Sequence, residues 1–335
     1  MSVVPMEKRF DLIAIGDSTV DTFLKIHDAT VECDINHKDC KICVKYGSKI
    51  PVDSIGHGVA GNAANVAVAC SKLGLKTAIY TNLGDDDHGE NINKQLISQK
   101  VAPDYIKINK GKSSNLSVVM TFQGERTIFV YHQEWFYHLP DLAPSAWIYL
   151  TSMAESFTSS NIMDEVYHYV EKTKSKLVFS PGTLQLKADI KRYPKILERC
   201  HILIVNLEEA KIIMGIAESE KIEIRNLLSK MLLLGPKIVV ITDGEEGSYA
   251  TNGQVDLKAG IIPAPVVEKT GAGDAYASGF LCALFRGADL AEAMVWGSLN
   301  SSQVIGRMGA QNGLLDAEQM IKLRKKESDF VAVRF

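Results

Sequence analysis

Short apolar runs alternate with longer segments along most of this sequence. The apolar runs are short enough for strands and predict β-strands at Asp11–Ile15, Thr77–Thr81, Trp147–Thr151, Lys176–Phe179, Ile202–Val205 and Lys237–Thr242. The longer segments between and after them predict helices at Ala60–Leu73, Asn161–Lys172, Glu208–Met214, Ile222–Leu234 and Ala275–Phe285. Because strands separated by helices usually run parallel, this alternation predicts an α/β fold whose sheet is covered on both faces.

Two stretches break the alternation, Phe23–Ile55 and Ser113–His132. Both are β-rich without a helical period, and they flank the first helical unit along the chain. We expect them to form a small separate sheet that projects from the main sheet as a lid. Since the sequence has no internal repeat and no long linker, we expect one domain at residues 1–335, with lid segments at about 22–56 and 113–133.

The composition narrows the range of partners. The chain has 335 residues, is 46% hydrophobic, and carries 37 basic and 40 acidic residues with no long run of one sign. This charge pattern argues against a nucleic-acid partner or an anionic membrane, and favours a compact ligand that is neutral or chelated to a metal. The apolar run before Gly16 is too short for a secretion signal or a membrane span, so we expect a cytoplasmic protein.

Six cysteines in a chain of this length do not suggest a disulfide framework. Three of them lie in apolar segments where free thiols are usual, at Cys70, Cys200 and Cys282. The others form a cluster with a histidine that has the ligand chemistry of a zinc site, at Cys33, His37, Cys40 and Cys43. Structural zinc sites usually join two separated pairs of ligands, so we expect ordinary thiols on a pair of strands and keep zinc as the alternative.

The segment Val266–Asp274 carries the strongest chemical signal, because Gly271-Ala272-Gly273-Asp274 leads directly into a predicted helix. Small residues let the backbone approach a ligand closely, and the N-terminus of a helix attracts anions. Asp274 is well placed there to accept a hydroxyl proton while backbone N–H groups hold a phosphoryl group. The simpler alternative is a tight turn with Asp274 as the N-cap.

Three further polar groups follow predicted strands. Asn206 and Glu209 could orient Mg²⁺ and its water beside phosphates, or could form a capping pair. Thr242-Asp243-Gly244-Glu245-Glu246-Gly247 leaves backbone room for a nucleotide, or makes a turn. Asp17 and Asp21, with Gly61-Asn62-Ala63-Ala64-Asn65, offer carboxylates and amides suited to sugar hydroxyls, although these residues are also common in turns.

The shared placement of these groups is the main argument. In open parallel sheets, ligands bind at the carboxyl ends of the strands, and all four groups lie there. The chain contains no Walker A sequence and no G-x-G-x-x-G after a strand, which disfavours a P-loop or a dinucleotide-binding fold.

Taken in this order, the motifs resemble those of the ribokinase-like (pfkB) carbohydrate kinase family nearly from end to end. Gly61–Ala67 with Leu73-Gly74 is similar to its N-terminal signature, Asn206–Glu209 to its N-x-x-E motif, and Thr270–Asp274 to its C-terminal signature. The resemblance implies a three-layer α/β/α fold with a mostly parallel central sheet and a small β-sheet lid. It also implies an ATP-dependent kinase that phosphorylates a hydroxymethyl group of a pentose-type or hexose-type sugar, with Mg²⁺ as cofactor, and a homodimer built through the lid.

The resemblance also implies the role of each site residue. Catalysis falls to Asp274 as general base, with Gly271, Ala272 and Gly273 as the anion hole. Substrate-binding residues are Asp17, Asp21, Gly61, Asn62, Asn65 and, as a weaker candidate, Glu155. Nucleotide-binding residues are Asn206, Thr242, Gly244, Gly247, Lys269, Thr270 and Ser298. Asn206 and Glu209 hold the magnesium ion, through water.

Three positions depart from the family pattern. Glu268-Lys269 replaces the frequent Asp-Thr in a region that binds potassium in many members, so potassium stays open and Lys269 is expected either to supply the charge or to stay solvated. Ser298 stands where some members have asparagine near the adenine, and Ala60 replaces the first glycine of the usual pair.

The sequence leaves the acceptor open, and the rival functions are a nucleoside kinase, a non-catalytic ligand-binding homologue and, more distantly, a dehydrogenase. Trp135, Phe136 and Tyr137 could stack on a base, but a buried aromatic cluster is the favoured interpretation. Arg126 could contact an acid or a phosphate, but we favour a surface residue of a hairpin. The retained Asp274, with its Gly-Ala-Gly turn, argues against a non-catalytic homologue.

Overall fold

The computed structural model describes residues 9–34, 40–123 and 125–335. Its strands are β1 (Phe10–Ile15), β2 (Thr19–Ile26), β3 (Thr30–Cys33), β4 (Cys40–Cys43), β5 (Val52–Ala60), β6 (Thr77–Gly84), β7 (Ala102–Asn109), β8 (Leu116–Phe122), β9 (Glu125–Tyr131), β10 (Ser145–Leu150), β11 (Lys176–Phe179), β12 (Cys200–Asn206), β13 (Ile238–Thr242), β14 (Ser248–Thr251), β15 (Asp256–Ala259) and β16 (Val333–Arg334).

Helices connect most of these strands. They are α1 (Asn62–Lys72), α2 (Asp87–Ser98), α3 (Ile162–Thr173), α4 (Thr183–Lys187), α5 (Pro194–Arg199), α6 (Leu207–Met214), α7 (Ile224–Leu232), α8 (Ala272–Phe285), α9 (Leu290–Val304) and α10 (Ala317–Lys326). Short 3₁₀ turns add Glu155–Ser159, Ile190–Arg192 and Gly244–Glu246. None of the helices in the described part of the chain is long and apolar enough to cross a membrane.

The larger sheet has the order β16-β15-β14-β13-β12-β11-β10-β1-β6-β7. The seven strands β13, β12, β11, β10, β1, β6 and β7 are parallel to one another. Beyond β13, the strands β14, β15 and β16 each pair antiparallel with the preceding strand. Its central strands are buried because helices cover both faces, which explains why they consist of nearly continuous apolar residues. The predicted mostly parallel sheet is confirmed.

Two hydrophobic cores flank the sheet. Alternate residues of β1 point to opposite faces, so that Leu12 and Ala14 join the core under α1, α8 and α9, whereas Ile13 and Ile15 join the core under α3, α6 and α7. This three-layer arrangement confirms the predicted fold class.

A second sheet with the order β5-β2-β8-β9, called the lid sheet below, stands apart from the larger one. Directly opposed residues share a face, and therefore Asp21, Ser117 and Val130 lie on one face and Thr22, Val118 and Phe129 on the other. We call these the inner and outer faces. The small separate sheet belongs to the confirmed fold, while the single-domain division and the lid boundaries stay predictions.

The cysteine cluster differs from the prediction of ordinary thiols. Antiparallel pairing of β3 with β4 places Cys33 directly opposite Cys40, with 4.0 Å between their Cα atoms, and the two form a disulfide. Cys43, Cys70, Cys200 and Cys282 are free thiols. His37 lies outside the described residues, and within those residues no group of three or more His, Cys, Asp or Glu side chains could hold a metal ion.

Candidate active site

The candidate site forms where strands of the larger sheet end and the lid sheet begins. Asn206 ends β12 directly beside Thr242, which ends β13. Asp17 follows β1, and Asp21 lies on the inner face of the lid sheet. Parallel strands bring their carboxyl ends to one edge, which explains why groups far apart in sequence meet there.

The N-terminus of α8 is shaped by glycine. Gly271 is the N-cap residue, with φ of 79°, and a Cβ atom there would lie 2.5 Å from Cβ of Ala310. A larger residue would therefore clash as well as strain the backbone. A Cβ atom at Gly273 would meet only open space, and no side chain caps the helix. The Ala272 N–H donates to the Lys269 carbonyl at 3.3 Å, whereas the N–H groups of Gly273 and Asp274 are available to an anion.

Asp274 is the third residue of α8 rather than its N-cap, and its carboxylate is held by the first turn of α1. Asn62 Nδ2 donates to Oδ1 at 2.9 Å, and Asn65 Nδ2 donates to Oδ2 at 2.8 Å. Burial raises the pKa of Asp274 to about 6, while the hydrogen bonds from Asn65 and Asn62 oppose that rise. Such a carboxylate is a suitable base near neutral pH.

Two side chains not singled out in the sequence fix the asparagines. Ser152 Oγ donates to Asn62 Oδ1 at 2.9 Å, and Gln311 Nε2 donates to Asn65 Oδ1 at 3.0 Å. Because each amide oxygen is occupied, each amide nitrogen faces Asp274. No local motif surrounds these residues, so the sequence carried no signal that could have identified them.

Asn206 and Glu209 form a capping box at the start of α6. Asn206 Oδ1 accepts from Glu209 N at 2.8 Å, and Glu209 Oε2 accepts from Asn206 N at 2.9 Å. Burial and, to a smaller extent, the nearby charge of Asp274 raise the pKa of Glu209 to about 7. The two residues therefore do form a capping pair. The Glu209 carboxylate also interacts with the charge of Asp274, and a bound cation would reduce the repulsion between the two carboxylates.

The two aspartates near β1 have different environments. Asp21 is buried on the inner face, where burial raises its pKa to about 6, a hydrogen bond from Ser117 lowers it, and the charge of Glu268 raises it. The Asp17 carboxylate accepts from Tyr137 Oη at 2.8 Å and from Ala154 N at 2.9 Å. Burial raises the pKa of Asp17 to about 7. These bonds tie the end of β1 to two other segments.

Glu155 opens a 3₁₀ turn with an exposed side chain, one residue beyond the Ala154 N–H that holds Asp17. In the structure, Asp17 therefore holds neighbouring segments together, and Glu155 lies at the surface. By contrast, it brings Asn62 and Asn65 into direct contact with Asp274 and gives Gly61 a φ of 95° beside the Asp17 and Ser18 backbone.

The predicted nucleotide-binding residues lie at the end of β12, at the end of β13 and just after it, in the loop before α8, and in α9. Gly244 and Gly247 have positive φ, and a Cβ atom at Gly247 would lie 2.1 Å from the Ala259 carbonyl oxygen. Ser298 is buried in α9. The Lys269 side chain is exposed and makes no hydrogen bond or ion pair within the described residues.

Arg126 is an exposed residue of the β8–β9 hairpin, as favoured, and it also contacts the loop before α8. Its Nη1 donates a hydrogen bond of 2.8 Å to Thr270 Oγ1, which precedes the glycine turn. Arg126 opposes Thr121, and Thr121 opposes Lys25, so Arg126 shares the inner face with Asp21. The lid sheet therefore places a guanidinium beside the N-terminus of α8.

The aromatic cluster is mostly buried, as favoured. Trp135 and Tyr137 are only 3% and 2% exposed, while Phe136 is 70% exposed beneath the Lys107 ammonium. The two buried rings have no free face for a base.

Comparisons with known proteins identify relatives of this chain. The model of the pfkB family of carbohydrate kinases matches residues 23–317. A protein from Shouchella clausii named 5-dehydro-2-deoxygluconokinase is 28% identical over 327 residues, covering 92% of this chain and 93% of that protein. A nucleoside kinase from Methanothermobacter thermautotrophicus is 28% identical over 273 residues, covering 79% and 84% of the two chains. The structure of Arabidopsis thaliana ribokinase complexed with ribose and ATP superposes with a TM-score of 0.78 at 23% identity, covering 94% of this chain and 99% of that one.

Proposed function

The chain belongs to the pfkB family of carbohydrate kinases, and from this premise we propose that it transfers the γ-phosphate of MgATP to a hydroxymethyl group of a small sugar. One observation carries the proposal. Asp274, buried and oriented by Asn62 and Asn65, stands at the uncapped N-terminus of α8. A base and an anion-binding helix end therefore occupy the same point.

Asp274 accepts the proton of the acceptor hydroxyl as that oxygen attacks the γ-phosphorus, and ADP leaves on the opposite side. The N–H groups at Gly273 and Asp274 hold the transferring phosphoryl oxygens. Asp21 and the exposed Asn62 orient the sugar hydroxyls. The positive-φ turns at Gly244 and Gly247 leave backbone space for the nucleotide beside Thr242.

The residues present fit a magnesium ion, because Asn206 and Glu209 supply the oxygen donors that this metal prefers and Glu209 is destabilised by the charge of Asp274. They would hold it through water, and the metal would neutralise negative charge on the phosphates. In place of a potassium ion, we propose that Lys269 supplies the positive charge beside Glu268. Glu268 Oε2 accepts from Gly309 N at 2.7 Å, while its Oε1 is buried without a hydrogen-bond partner among the described residues.

A sugar acceptor is favoured over a nucleoside by the burial of Trp135 and Tyr137, which removes two of the three rings that could stack on a base. The nucleoside kinase stays the second candidate because a relative bears that name.

The outer face of the lid sheet supports a homodimer as the working assembly. Phe129 and Ile55 are 57% and 65% exposed on this face, and Leu24, Val118 and Met120 continue the apolar surface between them. β9 is also an edge strand whose residues are all exposed. A second copy of the chain would cover both the apolar surface and the open edge. We place this assembly in the cytoplasm, where the Cys33–Cys40 bond would be subject to reduction.

The acceptor is tested by measuring ADP release with MgATP and a panel of ribose, fructose, other ketoses and aldoses, sugar acids, sugar phosphates and nucleosides. We expect turnover on one class of sugar. Turnover on nucleosides alone would move the assignment to the second candidate, and measurable ligand binding with no turnover on any compound would contradict the kinase proposal.

A further inference from the structure

A chain of side-chain amides runs from α2 to Asp274. Gln95 Nε2 donates to Gln311 Oε1 at 3.1 Å, Gln311 Nε2 donates to Asn65 Oδ1 at 3.0 Å, and Asn65 Nδ2 donates to Asp274 Oδ2 at 2.8 Å. The members come from α2, from the segment between α9 and α10, from α1 and from α8. We call this chain the amide relay.

Every hydrogen bond in the amide relay points the same way, toward the carboxylate. A side-chain amide donates through its nitrogen and accepts through its oxygen, so the orientation of one amide fixes the orientation of the next. If Asn65 turned over, its oxygen would face the oxygen of Asp274, and its nitrogen would face the nitrogen of Gln311. Both contacts would then be repulsive, so Gln311 opposes this rotation.

The amide relay also distinguishes the two oxygens of the carboxylate. Asn65, which binds Oδ2, is only 4% exposed, so that side of the carboxylate is closed. Asn62, which binds Oδ1, is exposed, so an acceptor can approach from its side. Both oxygens accept an amide N–H, so this difference in access directs the proton of the acceptor to Oδ1.

We propose that Gln311 is a positioning residue for phosphoryl transfer, which holds Asn65 as a donor to Asp274 and thereby keeps the base in its reactive orientation. Gln95 supports Gln311 from the outer end of the relay. The inference rests on the proposed role of Asp274 as the base, and adds to it two residues that touch neither the base nor the predicted ligands.

The outer end of the relay is less closed than the inner end. Gln95 and Gln311 border a cavity of about 90 Å³ that also contacts Phe23 and Val59 of the lid sheet. A water molecule there could replace the N–H of Gln95 but could not fill the position of Gln311 between two side chains. Loss of Gln95 should therefore cost less activity than loss of Gln311.

Other groups near Asp274 also influence its protonation. The titratable groups facing it are Glu209 on α6 and Tyr149 on β10, and Lys269 lies in the loop before α8. None of them belongs to the amide relay, so a change at Gln311 leaves their charges in place. In Gln311→Leu, which adds no charge, a shift of the pH profile would thus report the Asn65 contact.

The test is Gln311→Glu, which keeps the size of the side chain but removes the N–H that binds Asn65 Oδ1. At pH 8, we expect Asn65 to turn toward the new carboxylate and kcat to fall about tenfold or more, with KM for ATP within about threefold of the wild-type value. The acid limb of the kcat profile should move to higher pH. Gln311→Leu, which also removes the donor, should lower kcat in the same way, and Gln95→Leu should lower it less.

Asn312→Asp is the matched control, because it also converts an amide to an acid one position away. Asn312 is exposed, and its side chain donates only to the Met308 carbonyl within the described residues. It should keep wild-type kcat. Unchanged kcat in both Gln311 variants, or an equal loss in Asn312→Asp, would overturn the inference. If Asp274→Asn in the same assay kept its turnover, the proposed function would fail instead, so the two failures are distinguishable.

Discussion

Arg126 of the lid sheet donates a hydrogen bond of 2.8 Å to the hydroxyl of Thr270, the residue that precedes the glycine turn of α8. These residues are 144 positions apart, and the bond joins the tip of the lid sheet to the loop proposed to hold the transferring phosphoryl group. If the lid sheet moves during the reaction cycle, we expect this bond to favour its position against the loop.

Arg126→Ala should weaken the closed lid. A net hydrogen bond is worth about 1 kcal/mol, which corresponds to about a fivefold change in an equilibrium constant. We therefore expect KM for the acceptor to rise about fivefold, with a smaller change in kcat, in steady-state kinetics. Arg126→Lys keeps a positive donor and should recover part of the loss. Identical kinetics for wild type and Arg126→Ala would show that the contact has no part in closure.

The pH dependence of kcat should report Asp274. Burial raises its pKa from an ordinary value of 3.8 to about 6, and only the deprotonated form accepts a proton. Activity should therefore be level above about pH 7 and fall about tenfold per pH unit below about pH 6. An acid limb near pH 4 would contradict this prediction.

Glu209, whose pKa is raised to about 7, titrates in the same range and needs a control. In Glu209→Gln the residual activity should be lower, but its acid limb should stay near pH 6 if Asp274 sets it. Disappearance of the limb in this variant would assign it to Glu209.

Lys269 should replace a bound potassium ion. Its ammonium group is exposed and has no hydrogen bond or ion pair within the described part of the chain, and it follows Glu268, whose Oε1 is buried without a partner there. Wild-type turnover should be the same in potassium and tetramethylammonium buffers. Lys269→Ala should have a lower kcat, and potassium should raise it. Lys269→Arg keeps the charge, so potassium should not raise its kcat. Strong potassium activation of the wild type would refute the replacement.

The outer face of the lid sheet should hold two copies together. Phe129→Glu combined with Ile55→Glu places two charges on this apolar face, and light scattering should then give the mass of one chain instead of two. Leu233→Glu, at an 87% exposed position after α7, is the control and should keep the wild-type mass. A wild-type protein that elutes as a monomer at micromolar concentration would exclude the assembly.

The sequence predicted those strands and turns that are determined by a few neighbouring residues. β11 has the predicted bounds, because a short apolar run between polar residues is sufficient to define a buried strand. The turn at Gly271 was recognisable because its positive φ and its contact with Ala310 require glycine. By contrast, α9 was not predicted. Its residues are buried around most of its circumference, so it lacks the apolar stripe that identifies a surface helix.

The remaining features depend on contacts between distant segments. Gln311 lies 216 positions from Gln95 and 246 from Asn65, and no local pattern can reveal such partners. The Cys33–Cys40 disulfide depends on the register of two strands, which a sequence alone leaves open. The candidate site residues belong to contiguous motifs, whereas Ser152 and Gln311, which hold the two asparagines, do not.

The most direct test of the account is Asp274→Asn, assayed for turnover and for binding of ATP and acceptor. The amide keeps the shape of the carboxylate but cannot accept the proton, so kcat should fall about 10²-fold to 10⁴-fold while both dissociation constants stay within a few fold. Turnover close to the wild-type rate in Asp274→Asn, with the acceptor that the wild type uses, would contradict the central claim that Asp274 is the base.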